Sequence, residues 1–272
     1  MLTTLFTLLV GVHSIEIPFE YVHGHLILEA KINGKPQRLA LDSAVAGQLH
    51  MDSGLATELS LPKTGKIESS DGTSQNKTMV DLVKVDRISL GPIEIRDVDA
   101  VSRNFKEELG SHAAFDGVLG AKVFKGFLLT IDYGHKKIKL AKGRLPDPDG
   151  KTILPLKERD GIYTVGLSLG GQTLDAHLDT GSPMGLIMPL RESKKLLLEA
   201  EPKLVGKAKT LHNTIEVFQA QLKGDISVGG HKLDRNITFF DKFETANLGN
   251  GVLSQFDVTL DLAQKRIQLN KV

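Results

Sequence analysis

One segment of this chain is written twice. From Ile17 it reads IPFEYVHGHLILEAKINGKPQRLALDSA, and from Leu154 it reads LPLKERDGIYTVGLSLGGQTLDAHLDTG. Pro18 and Pro155 stand 137 positions apart (155 − 18), and Gly24/Gly161, Asp42/Asp179 and Met51/Met188 keep that spacing without a gap. Two tandem copies of one unit restrict the fold to a pair of similar lobes related by a pseudo-twofold axis. Each copy carries an aspartate just after an apolar strand, so such an axis would bring two carboxylates together.

A second pair of landmarks follows. Residues 115–140 (FDGVLGAKVFKGFLLTIDYGHKKIKL) are answered by residues 250–269 (NGVLSQFDVTLDLAQKRIQL). Asp132 and Asp261 are 129 apart (261 − 132), so the intervening segment is eight residues shorter in the second copy (137 − 129). Length variation of that kind suits loops and hairpins between fixed elements. On string similarity, Val252-Leu253-Ser254 is the second-copy counterpart of Val118-Leu119-Gly120.

The local patterns are mostly those of strands. HLILEAKI and QRLALD flank Asn33-Gly34, a strong two-residue hairpin signal, and YTVGLSL and LDAHLD flank Gly170-Gly171 in the second copy. VDLVKVDRISLG and IEVFQAQLKGDISVGG are further alternating runs. Brief helices are expected at Ser53–Leu59 and Leu190–Glu201. The stretch GRLPDPDGK, residues 143–151, is turn-rich and marks a linker. The expected organisation is an all-β protein with short helices, one lobe at residues 15–146 and the other at 147–272.

At these residues the chain resembles the retropepsin-like and pepsin-like aspartic peptidases, from residue 17 to 270. In that family each lobe carries an apolar-x-apolar-Asp-Thr/Ser-Gly turn and, downstream, an apolar-apolar-Gly turn. Leu178-Asp179-Thr180-Gly181-Ser182 matches the first element fully; Leu41-Asp42-Ser43-Ala44 has alanine for glycine, and Val45 stands where the second copy has Ser182. The nearest likeness is to bacterial-type exported enzymes with two small lobes. The resemblance implies an aspartic endopeptidase with Asp42 and Asp179 as its catalytic dyad. Ser43 and Thr180 would bridge the two turns through their hydroxyls. Gly181 lets the backbone approach a carboxylate closely, and Ser182 offers a hydroxyl near Asp179. The resemblance further implies a polypeptide substrate, gripped in the cleft in part by a flap hairpin within residues 69–82. The rival reading is a catalytically lapsed peptide-binding module of the same fold.

The chemistry explains why a pair is needed. Two carboxylates in contact cannot both ionise, so one holds a proton as acid while its neighbour activates water as base. No cofactor or metal is implied: the nine histidines are scattered, without an HExxH motif. The absence of cysteine excludes thiol catalysis, disulfides and a lipidated cysteine. A formal net charge of +1 gives no electrostatic case for nucleic acid. A single chain that supplies both aspartates is expected to act as a monomer.

Three other features are weighed. Residues 1–14 (MLTTLFTLLVGVHS) are too short an apolar run to span a bilayer and read as a signal peptide. That predicts export to the periplasm or beyond the cell, with no membrane anchor in the mature chain. Met51-Asp52-Ser53-Gly54 spells a literal Asp-Ser-Gly, but Asp52 lies 34 residues from Pro18 (52 − 18), against 24 for Asp42 and for Asp179 from Pro155. Asp52 is read as a helix N-cap. His177, Asp116, Asp132 and Asp261 are read as structural residues in strands and turns.

Overall fold

The structure is a computed structural model that describes residues 14–69, 78–105, 114–209 and 214–272. Residues 1–13, nearly the whole expected leader, and 70–77, within the expected flap at 69–82, lie outside the described residues. The all-β expectation holds: among the described residues 23 strands form two sheets of 15 and eight strands, with only brief helical turns.

Each repeat opens with the hairpin its sequence announces. His25–Ile32 and Lys35–Asp42 pair antiparallel around Asn33-Gly34, both at positive φ (47° and 88°). Ile162–Leu169 and Gln172–Asp179 do the same around Gly170-Gly171, at 56° and 88°. Two consecutive left-handed residues match the right-handed twist of the flanking strands, which is why Asn-Gly and Gly-Gly recur there.

The two copies meet in one shared sheet. Ser14–Pro18, Lys137–Ala141 and Leu128–Asp132 from the first copy continue into Phe256–Asp261, Arg266–Lys271 and Ile153–Arg159 from the second. At its centre Thr130 pairs with Thr259. These two are each other's repeat equivalents (259 − 130 = 129), so the pseudo-twofold axis passes between them. Their hydroxyls meet at 2.8 Å. Beneath the sheet lies one continuous apolar core drawn from both copies, including Leu28, Leu41, Phe124, Leu178, Phe239 and Phe256.

Of the two expected helices, Ser53–Glu58 forms, and Asp52 caps it by accepting the Gly54 N–H at 2.9 Å. The second is shorter than expected. A 3-10 turn covers Leu190–Lys195 and the chain is extended at Leu196. Leu196 and Leu198 pack on the core while Leu197 between them is 69% exposed. That alternation has a strand's period of two, and it wins over the helical propensity of the Leu-Lys run.

Candidate active site

The last residue of each hairpin's second strand is the repeated aspartate. Parallel pairing then sets each one beside the end of a downstream strand: Asp42 lies opposite Gly120 and Asp179 opposite Gly249. The second-copy counterpart of Val118-Leu119-Gly120 is therefore Asn247-Leu248-Gly249, not Val252-Leu253-Ser254, whose first two residues belong to the helix Asn250–Leu253. The contacts agree. A Cβ on Gly120 would stand 2.3 Å from the Gly47 carbonyl oxygen, and one on Gly249 would stand 2.4 Å from that of Met184, the repeat equivalent of Gly47 (184 − 47 = 137). The spacing of 129 between Asp132 and Asp261 already points to 247–249.

The turns lock together as the Ser/Thr pattern implies. The Ser43 hydroxyl donates to the Leu178 carbonyl at 2.6 Å and accepts the Thr180 N–H at 3.1 Å. Reciprocally, the Thr180 hydroxyl donates to the Leu41 carbonyl at 3.0 Å and accepts the Ser43 N–H at 2.9 Å. Both side chains are buried, so these four bonds have no water to replace them. Within each turn the carboxylate accepts a backbone N–H: Ala44 to Asp42 Oδ1 at 2.7 Å, and Gly181 to Asp179 Oδ1 at 3.0 Å.

Gly181 is required by space rather than by its φ. An added Cβ would sit 2.2 Å from Asp42 Oδ2, so this turn presses its backbone onto the opposite carboxylate. Its equivalent, Ala44, is not in the left-handed region, and alanine is unstrained there. Gly181→Ala should displace the Asp42 carboxyl and lower kcat by roughly 10²-fold, the order expected for a misplacement of about 1 Å. Ala44→Gly should retain activity. Steady-state kinetics on both variants checks this, and equal effects would refute the steric assignment.

Ser182 departs from expectation. Its hydroxyl accepts the Met184 N–H at 3.4 Å, and only its backbone N–H faces the Asp179 carboxylate. The side-chain donor to Asp179 is Asn247, whose Nδ2 reaches Oδ2 at 2.7 Å. Both aspartates are pushed above the ordinary carboxylate range, first by burial, and Asp42 also by the charge of Asp179. Two backbone N–H groups oppose that rise at each aspartate, and at Asp179 the Asn247 amide opposes it as well.

The dyad stands in a cleft of about 720 Å³ with walls from both lobes, among them His50, Ser69 and Arg103 on one side and His177, Phe243 and Asn247 on the other. Burial and the nearby Arg103 lower His50 to about 4, leaving it neutral near pH 7. His177 Nδ1 lies 3.2 Å from the Thr245 hydroxyl. Asp132 and Asp261 are hydrogen-bonders in their own turns, accepting the N–H groups of His135 and Gln264, and Asp261 also accepts that of Leu145; Asp116, read from sequence as a local bonder, instead accepts the Arg38 N–H from 78 positions away. Ile67, Glu68 and Ser69, leading toward the expected flap, also line the cleft. Among the described residues, no helix is long and apolar enough to cross a membrane.

Two lobes sharing a sheet, each ending a hairpin in an aspartate-bearing turn, define an acid-protease fold. Residues 28–123 match the family model "Aspartyl protease". Among solved structures, the crystal structure of Basic 7S globulin from soybean is similar over 96% of this chain and 95% of its own, with a TM-score of 0.51 and 12% identity. At that identity the likeness bears on the fold alone. No curated protein matches the chain. The family match covers the first lobe, and the fold of the whole chain is that of the two-lobed acid proteases.

Proposed function

We propose that this protein is an aspartic endopeptidase that hydrolyses peptide bonds with water activated by Asp42 and Asp179. The supporting observation is the cross-braced pair of turns, which keeps both carboxylates, both bridging hydroxyls and the close backbone approach at Gly181. Burial and mutual charge favour a singly protonated pair, in which one carboxylate takes a proton from water as the other gives one to the scissile amide. A peptide lies across the dyad between the lobes, with the hairpin carrying Ile67–Ser69 closing over it, and the chain acts as a monomer after export.

An unbiased peptide-library cleavage assay from pH 3 to 8, with Asp42→Asn and Asp179→Asn as controls, tests the proposal. Cleavage lost in both variants supports it. Peptide binding without cleavage in the parent protein would identify a lapsed peptide-binding module instead.

A further inference from the structure

The two carboxylates differ in their side-chain hydrogen bonding at one paired position. Val118 and Asn247 are repeat equivalents (247 − 118 = 129), and each sits two residues before the aspartate's register: Val118 opposite Ala40, Asn247 opposite His177. Both line the cleft. Valine has nothing to offer Asp42, whereas Asn247 is buried and donates Nδ2–H to Asp179 Oδ2 at 2.7 Å. Its amide oxygen is buried without a hydrogen-bond partner. An acceptor left unpaired at a buried position is costly. A packing role alone would be met by valine, as the first copy demonstrates, so the amide is held at a cost for the donor it gives Asp179.

We propose that Asn247 is a positioning residue that sets the order of protonation in the dyad, keeping Asp179 as the ionised base and leaving the shared proton on Asp42. The proposal rests on the peptidase reading for its catalytic meaning, but not for its titration. A donor to the ionised form lowers that group's pKa, and its absence on the other side leaves Asp42 the better proton holder. Other ionisable groups face the dyad: His50 on Leu49–Asp52, His177 on the strand of Asp179, Arg103 on Ile93–Arg103, Glu68 on Lys63–Ser69 and Asp160 in the turn before Ile162. His25 reaches the Gly181 backbone. None of them is a donor to either aspartate among the hydrogen bonds given above, and each is unchanged in the variants below.

The test is carboxyl-carbon NMR titration of the full chain labelled at aspartate, alongside kcat/KM against pH. Asn247→Val should raise the lower apparent pKa of the dyad by about one pH unit. It should move the acid limb of the rate profile upward by the same amount. Asn247→Val combined with Val118→Asn should bring the lower value back down, with the proton now favoured on Asp179. Unchanged apparent pKa values in Asn247→Val, with the fold intact by circular dichroism, overturn the inference. So does a double variant that fails to recover, if it is folded. The titration reads the carboxyls directly: a shift in a protein that cleaves no peptide would sustain the proton order while refuting the peptidase. Cleavage with no shift would do the reverse.

Discussion

Asp42→Asn and Asp179→Asn should each reduce peptide turnover by roughly 10²–10⁴-fold or more, since one carboxylate cannot serve as both base and acid. The fold should survive, because the amide is isosteric and the bracing bonds come from Ser43 and Thr180. The stability of Asp42→Asn should also change with pH in a definite direction. Asp42's folded pKa lies above its unfolded one, so the native state holds the proton more tightly. Its contribution to stability is therefore complete below the unfolded carboxylate range near about 4 and is lost as pH rises toward the folded value. Asparagine never ionises. The variant should melt higher than the parent at pH 7 and level with it at pH 3. A Tm lowered equally at both pH values would show that like charge and burial do not govern this pair.

Asn250→Ala should be the most destabilising single change outside the apolar core. Asn250 is fully buried and joins the copies: its Nδ2 donates to the carbonyls of Gly24 at 2.8 Å and Thr180 at 2.6 Å, and its Oδ1 accepts from the Tyr133 hydroxyl at 2.7 Å. Truncation strands the buried Thr180 carbonyl and Tyr133 hydroxyl and the part-buried Gly24 carbonyl. At roughly 1–3 kcal/mol for each, the loss should be about 3 kcal/mol or more. Urea unfolding reads this as a lowered midpoint at unchanged slope. A loss under about 1 kcal/mol would mean that water enters and restores the bonds.

Much of this was legible because the chain repeats itself. The gapless spacing of 137 sets Asp42 against Asp179 and dismisses Asp52, and two-residue turns announce both hairpins. The bracing roles of Ser43 and Thr180 follow from the family pattern. Asn247 was missed for a traceable reason. Valine and asparagine share no letter, whereas Val252-Leu253-Ser254 looks like Val118-Leu119-Gly120, and similarity of letters drew the counterpart five residues too far. The helix expected through Glu201 failed where burial alternates at Leu196–Leu198, a tertiary preference that no local propensity carries. Asn250 has no sequence signal of its own, because its partners lie 70, 117 and 226 positions away.

The meeting of Thr130 with Thr259 on the axis has a further implication. If the two copies were separate identical subunits, every substitution would be made twice, and any residue near the axis would have to tolerate its own rotated copy. Joined in one chain, each copy is free to drift alone. Asn250 answers to Ala121 (250 − 129) and Tyr133 to Leu262 (262 − 129), so their hydrogen bond exists once and could not be duplicated by symmetry. The same freedom allows a valine beside one aspartate and an asparagine beside the other. A peptide has a direction, and a cleft whose halves no longer match under rotation can tell one end from the other.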